Sequence, residues 1–386
     1  MSDEMVNMGE VSRKKRIAFV IPVYNEAKAI EKLLIEVNEK ILNNYDNIDV
    51  YVFEDGSLDG TKEVLKKFLE SQTIPRLYVS MTPNRKGYPQ AVRDAILSVD
   101  CSKYAYTLFL DGDGQYYIED VSKLISMLSR ENPEYDIIVG MRTKRAESIY
   151  RKMLTRGLRM LERLLFNPPI KDVTSALRLM KTDVAQSIAS EVKHSKYNFW
   201  LEFTARMSAR NLRVLEVPVD YKKREEGESQ VYNLRKIPKI IWAEFKAIAK
   251  AWFELHGKTV SKFAFVGATG AIIILFLTWL LTEHMGLWYM LSATAAIELS
   301  ILWAFALNTK ITFSYHFVNS IDVIKAAAKY HATALGGLVI NLVALYILTE
   351  YMNIYYLISE FAAIILAFGF NYLASIRYVW EIAKWN

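Results

Sequence analysis

Short apolar runs closed by polar turns alternate with stretches whose apolar residues recur every three or four positions, and this rhythm fills the first part of the chain. IAFVIPVY (17–24) reads as a buried strand followed by a helix over 26–42, and DVYVFEDGS (49–57) as a second strand followed by a helix over 59–70. RLYVSM (76–81) gives a third strand, 88–98 a third helix, and YAYTLFLDGDG (104–114) a fourth strand that ends in acids. Farther on, 199–209 reads as an amphipathic helix. Strands alternating with helices predict an α/β domain with a largely parallel sheet covered on both faces. Ligands of such sheets bind beyond the carboxyl ends of the strands. The three ends here, Tyr24-Asn25-Glu26, Glu54-Asp55-Gly56 and Asp111-Gly112-Asp113, are all polar.

From residue 263 the pattern changes to four long apolar runs, at about 263–281, 287–307, 332–349 and 355–376. As a helix such a run is about 28 Å long, enough to cross a hydrocarbon core of about 30 Å with little tilt. An all-α, four-helix transmembrane domain is predicted. The turns at 282–286 and 350–353 hold no Lys or Arg, whereas Lys258, Lys262, Lys310, Lys325, Lys329, Arg377 and Lys384 flank the other side. The positive-inside rule then places both termini and the soluble domain in the cytoplasm. Just before the first span, Ile237, Ile240, Ile241, Phe245, Ile248 and Trp252 are interleaved with Arg235, Lys236, Lys239, Lys246 and Lys250. Apolar and basic residues at helical spacing beside a span predict helices lying in the headgroup plane, with a core helix of the soluble domain as the plainer reading. The expected organisation is a flexible leader over 1–15, a soluble domain over 16–232, interfacial helices over 233–258 and the membrane domain over 259–386.

At 386 residues the chain has room for two or three domains. Its net charge of +6 is concentrated beside the spans, in segments such as 221–224 and 235–239, which suits lipid headgroups or phosphate and argues against nucleic acid. The one cysteine, Cys101, cannot form an intrachain disulfide, and the histidines at 194, 256, 284, 316 and 331 lack metal-ligand spacing. Residues 1–16 contain no apolar core, so they do not read as a signal peptide. Glu298 and Glu360 fall inside spans, where an acid must be protonated, paired or in polar surroundings. A lipid-phosphate or proton pathway is one reading of them; hydrogen bonding between helices, or a contact between subunits of a homo-oligomer, is the plainer one.

The most specific chemistry lies in FLDGDGQY (109–116), which places Asp111, Asp113 and Gln115 at alternate positions where an apolar strand ends. Three oxygen-bearing side chains directed at one small volume suit Mg²⁺ or Mn²⁺ bridged to a diphosphate, as in a nucleotide-sugar site. A solvated acidic turn is the plainer reading of this pattern taken alone.

IPVYNE (21–26), FEDGSLDGT (53–61), NRKGYPQA (84–91) and LDGDGQY (110–116) occur in the order found in inverting nucleotide-sugar glycosyltransferases of the Rossmann-like glycosyltransferase-A fold. With GMR (140–142), YRKMLTRG (150–157) and REEGES (224–229), the chain over roughly 15–235 resembles the polyprenyl-phosphate hexosyltransferases, the dolichyl-phosphate mannose synthase family. KFAFVGATG (262–270), with Asn308 and Asn371, resembles the GtrA-like membrane domain. The resemblance implies that Pro22, Tyr24 and Glu26 cradle the nucleotide base and ribose, with Asp55 beside the base. It gives Asp111, Asp113 and Gln115 the metal and the donor diphosphate. Arg142, Arg151 and Arg224, with the hydroxyls of Thr155 and Ser229, would bind the acceptor phosphate, Arg142 also serving catalysis. Arg85 and Lys86 would touch phosphate or form an exposed turn, Arg178 would pack near the sugar, and Glu202 would contact the sugar or form a structural ion pair. Two departures from the family pattern are Glu54-Asp55-Gly56, where three acids are usual, and Asp-Gly-Asp at 111–113, where Asp-Ala-Asp is usual.

The implied partners are a nucleotide-diphosphate sugar, GDP-mannose first and UDP-glucose as the alternative, a polyprenyl or dolichyl phosphate, and membrane lipids. A reading from another class is a lipid-linked sugar flippase with a regulatory soluble domain. A processive polysaccharide synthase is disfavoured because no Q-x-x-R-W motif follows the acids.

Overall fold

Ile17–Val23 is buried at all seven positions and forms β1, flanked on both sides. In this computed structural model, which describes residues 16–128, 135–143, 149–222 and 237–380, β1 pairs in parallel with β2 (Ile48–Glu54) and with β4 (Tyr106–Phe109). β2 pairs in parallel with β3 (Leu77–Met81). Helices α1 (Ala27–Val37), α2 (Thr61–Ser71) and α3 (Tyr88–Leu97) make the connections, as the alternating pattern predicts.

Beyond β4 follow α4 (Ile118–Met127), β5 (Ile137–Arg142), α5 (Ile149–Phe166), β6 (Arg178–Lys181), α6 (Thr182–Glu191), α7 (Phe199–Ser208) and β7 (Val214–Val219). The sheet order is β3-β2-β1-β4-β6-β5-β7. β6 runs antiparallel to both β4 and β5, while β5 and β7 are parallel. The sheet is largely parallel, as expected, with β6 as its one antiparallel strand, and a four-residue buried strand carries no sequence mark of that direction. Two reversals across β6 leave β5 and β7 pointing the same way as β4. All their carboxyl ends consequently open on one edge.

α7 departs from the amphipathic helix expected over 199–209: all ten of its residues are buried. Its charges cancel internally. Glu202 Oε1 accepts from Arg206 Nη2 at 2.7 Å one turn away, and the carboxylate also caps the backbone N–H groups of Lys193, His194 and Ser195. Of the two roles open to Glu202, the structure shows the ion pair.

The chain divides into two compact units between Trp252 and Phe253. One uninterrupted helix, α8 (Ile237–Trp279), includes the basic-apolar stretch and the first apolar run; Pro238 lies in its first turn, where a missing N–H does no harm. In the first unit, Ile240, Glu244, Ala247, Ile248 and Ala251 of α8 are buried, and Glu244 accepts from the backbone N–H of Tyr197 at 2.9 Å. Ile241, Trp242, Phe245, Lys246 and Lys250 form an exposed face of the same turns.

The second unit contains the rest of α8, α9 (Tyr289–Leu307), α10 (Ser320–Tyr346) and α11 (Tyr356–Ala374). Four helical segments are long and apolar enough to cross a membrane: Pro238–His284, Tyr289–Thr312, Ser320–Tyr351 and Tyr356–Val379. The third starts well before residue 332, because the Asn319 side chain accepts from Asp322 N at 2.9 Å and caps a polar turn ahead of the apolar run. Ile272, Leu275, Leu342 and Phe361 stand exposed, as side chains facing hydrocarbon do. The two acids in the spans meet polar groups on α10: Glu298 lies 3.4 Å from His331, and Glu360 accepts from Asn341 at 3.4 Å. Both contacts join helices, the plainer of their two readings.

Candidate active site

The turn after β1 is locked to the loop after β2. Asn25 adopts φ 53, its N–H donates to Ser57 Oγ at 2.9 Å, and its side-chain oxygen accepts from Leu58 N at 2.8 Å. Glu26 N donates to Thr61 Oγ1 at 3.0 Å. Pro22 is buried in β1 with its carbonyl accepting from Gly112 N at 3.1 Å, so this strand end is also tied to the acidic turn.

Asp55 fastens a third segment. Its two carboxylate oxygens accept from Lys86 N at 2.7 Å and Gly87 N at 2.9 Å, holding the NRKG turn over the edge of the sheet. Arg85 then lies with its guanidinium 3.8 Å from the Tyr24 ring centroid, a cation–π contact. Lys86 Nζ pairs with Asp94 at 2.6 Å. Gly56 has φ 70, and a Cβ there would stand 2.5 Å from Arg85 N, so only glycine fits this close approach.

β4 ends at Phe109, so Asp111 and Asp113 occupy the turn beyond it rather than alternate strand positions. A Cβ on Gly112 would lie 2.9 Å from the Pro22 carbonyl oxygen, too close for a side chain without a shift of the backbone. Asp111 Oδ1 accepts from the Tyr88 hydroxyl at 2.9 Å, and Asp113 Oδ1 from Gln115 N at 3.1 Å. Burial first, then the charge of Asp113, pushes the Asp111 carboxyl up to about 7, with Tyr88 and Arg142 pulling back. Gln115 is turned toward the segment after β7: its Oε1 accepts from the Tyr221 hydroxyl at 2.9 Å, and its Nε2 donates to Lys222 O at 3.1 Å.

Arg142, at the carboxyl end of β5, is clamped from two sides. Its Nε and Nη2 donate to the two oxygens of Asp172 at 2.8 and 2.9 Å, and Nη2 also reaches Thr174 Oγ1 at 2.8 Å. Its guanidinium sits 5.2 Å from the Tyr221 ring centroid. Asp172, Thr174 and Tyr221 are thus site residues that sequence reasoning missed, since nothing local marks Asp172 as the partner of an arginine 30 positions earlier. Arg178 is buried under Trp200, 4.5 Å from its ring, and hydrogen-bonds Thr204 at 2.9 Å. Positions 151 and 155 fall on α5, but the side chains of Arg151 and Thr155 lie outside the described residues, as do Arg224 and Ser229 altogether.

The strand-end carboxylates, the locked turns and the clamped arginine all lie within, or next to, a segment with a recognisable family signature. Residues 18–189 match the glycosyl transferase family 2 profile, and residues 262–380 match the GtrA/DPMS transmembrane domain. The chain is a glycosyltransferase with a family 2 domain. Its catalytic domain has the Rossmann-like glycosyltransferase-A architecture, and the matched membrane domain makes it an integral membrane protein.

This glycosyltransferase is 25% identical over 373 residues to a dolichol-phosphate mannosyltransferase of Pyrococcus furiosus, covering 95% of this chain and 99% of the relative. It is 23% identical over 277 residues to an undecaprenyl-phosphate 4-deoxy-4-formamido-L-arabinose transferase of Yersinia enterocolitica, covering 70% of this chain and 79% of that one. A mannosyltransferase from Pyrobaculum calidifontis, solved with GDP-Man and Mn²⁺, aligns at 16% identity and TM-score 0.39 over 78% of this chain and 88% of its own, too distant for residue-level comparison.

No three His, Cys, Asp or Glu side chains converge on a metal-sized volume among the described residues. The donor set nevertheless fits a hard cation. Mg²⁺-type sites commonly use one or two carboxylates and take their remaining ligands from substrate phosphates and water. The charge of Asp113 raises the proton affinity of Asp111 across this turn, and a divalent charge relieves such a repulsion.

Proposed function

We propose that this glycosyltransferase moves a single hexose, mannose in the first instance, from a nucleotide-diphosphate sugar to a polyprenyl or dolichyl phosphate, inverting the anomeric centre. The observation that carries the reading is the likeness to a dolichol-phosphate mannosyltransferase along nearly the full length of both chains, catalytic and membrane parts together. The arabinose transferase relative also has a polyprenyl phosphate in its name, so the acceptor class is the common element while the sugar differs. GDP-mannose is the preferred donor and UDP-glucose the alternative. Carboxylates on a sheet edge favour transfer over flipping as the role of the soluble domain.

In this reading the Tyr24 ring, backed by Arg85, and the Pro22, Glu26 and Asp55 turns receive the nucleoside. Asp111 and Asp113, assisted by Gln115, hold Mg²⁺ or Mn²⁺, which when bound neutralises charge on the departing diphosphate. The acceptor phosphate is already ionised at neutral pH, so its oxygen attacks the anomeric carbon without a general base. The carbon–oxygen bond to the diphosphate breaks as the new bond forms. Arg142 presents a fixed positive charge at this edge because Asp172 holds its fork in place. Arg151, Arg224, Thr155 and Ser229 are assigned to the acceptor phosphate, where arginine forks suit paired oxygens. The catalytic domain and both termini face the cytoplasm, and the exposed face of α8, with Trp242, Phe245, Lys246 and Lys250, rests among headgroups at the height of a lipid phosphate.

The test is incubation of the purified protein with labelled GDP-mannose, UDP-glucose and related donors, each with short polyprenyl phosphates and Mn²⁺. Label should enter the lipid from one donor, and Asp113→Ala should abolish it while the protein remains folded and membrane-inserted. Transfer to free sugar or water alone, or undiminished turnover in that variant or in chelator, would refute the reading.

A further inference from the structure

Tyr88 joins two residues that are far apart in sequence. Its hydroxyl donates to Asp111 Oδ1 at 2.9 Å, and the indole Nε1–H of Trp200 donates to that hydroxyl at 3.0 Å. The direction of this chain is fixed by chemistry. An indole nitrogen can only donate and an ionised carboxylate can only accept, so with Asp111 in the carboxylate form that a cation binds, the hydroxyl's single hydrogen must point at Asp111.

Both ends of the chain are rigidly mounted. Trp200 is almost fully buried in α7, edge-on to Phe109 at 4.8 Å, Phe199 at 5.1 Å and Phe203 at 5.3 Å, with the Arg178 guanidinium 4.5 Å from its ring. Phe109 is the last residue of β4, so the wall that fixes the indole is built from the strand leading to Asp111. Tyr88 opens α3 directly after Gly87, whose N–H is held by Asp55 at 2.9 Å. The hydroxyl is therefore set by the NRKG turn on one side and by the aromatic core on the other.

From this geometry we infer that Tyr88 and Trp200 are a positioning pair for the metal-facing carboxylate. Tyr88 engages Oδ1 and holds Asp111 in one rotamer, leaving the other oxygen for the divalent cation, and Trp200 acts through Tyr88 by keeping its hydrogen directed at Asp111. The inference deepens the proposed function and rests on its assignment of Asp111 to the metal. Carboxylates are oriented for metals by such outer hydrogen bonds, and loss of one commonly lowers metal affinity by about ten- to a hundredfold.

The experiment titrates Mn²⁺ into the full-length, detergent-solubilised protein at constant pH, alone and with GDP or UDP, and follows the free ion by electron paramagnetic resonance. Tyr88→Phe, which removes only the hydroxyl, should weaken Mn²⁺ binding by roughly tenfold. Its turnover should recover at saturating Mn²⁺, with nucleoside diphosphate binding in the absence of metal unchanged. Trp200→Phe should weaken Mn²⁺ binding by the same amount or less, and the double variant should bind no more weakly than Tyr88→Phe, since the tryptophan acts through the tyrosine. Unchanged Mn²⁺ affinity in Tyr88→Phe, or losses that add in full in the double variant, would overturn the pair while leaving the metal site standing. Failure of the unaltered protein to bind Mn²⁺ under any of these conditions would overturn the metal site itself, and the pair with it.

Discussion

Lowering the pH should release the metal from this glycosyltransferase, and the size of the effect can be worked from Asp111. Its carboxyl is pushed up to about 7 by burial and then by Asp113. A divalent cation binds the carboxylate form, so below that value each pH unit lowers apparent affinity about tenfold, equivalent to about 1.4 kcal/mol. Between pH 7.5 and 5.5 the loss should reach about 25-fold. Mn²⁺ titrated alone, without nucleotide phosphates that would add their own protonation, gives the direct measurement. The metal-free protein should respond in the opposite sense. The folded-state value lies above the ordinary 3.8, so between about 4 and 7 the folded chain retains a proton that the unfolded chain has lost. The contribution of this group to metal-free stability is therefore greatest at the acid end and declines as pH rises toward 7. An Mn²⁺ affinity that is flat from pH 5.5 to 7.5 would show that Asp111 is already ionised in the folded protein, and the burial argument would fail.

Gly112→Ala should impair transfer and destabilise the catalytic domain by about 1–3 kcal/mol, because the new Cβ lies 2.9 Å from the Pro22 carbonyl oxygen; a fully active, equally stable variant would contradict this. Asp172→Ala leaves the buried Arg142 guanidinium without its partner, and amide exchange in β5 and β7 should report a loss of about 3–5 kcal/mol. Arg151→Ala or Arg224→Ala should reduce transfer at low polyprenyl phosphate by roughly ten- to a hundredfold while nucleotide binding without lipid changes little; full recovery on raising the donor alone would assign these arginines to the nucleotide. In a Cys101→Ser background, cysteines replacing Glu283 and Glu350 should be labelled by an impermeant reagent in intact cells, whereas a cysteine replacing Asn319 should require permeabilisation; the reverse pattern would invert the proposed orientation.

The sequence by itself determined the features that depend on local pattern. Buried strands such as β1 announce themselves through continuous apolar residues, and apolar runs long enough to cross a membrane do so through length alone. The polar strand ends in IPVYNE, EDGS and LDGDGQY were likewise legible, because an edge that binds an anion must interrupt apolar strands with acids and glycines at fixed points. The glycines at 56 and 112 were visible as letters, but their reasons were not: each makes room for backbone from a different segment, Arg85 in one case and Pro22 in the other.

Tertiary structure decided what depends on partners distant along the chain. The direction of β6 follows from its connections and is invisible in RLMK. α7 could be wholly buried only because Glu202 and Arg206 neutralise each other inside the core, an arrangement that reads in sequence as a polar face. Arg142 waits for Asp172, and Asp111 for Tyr88 and Trp200, across separations of 30, 23 and, from Trp200 to Tyr88, 112 residues. Periodicity records which side a residue faces over a few turns. It carries no information on which distant side chain will complete a hydrogen bond there, and that choice is made only when the sheet edge, the aromatic core and the acidic turn are brought to one place.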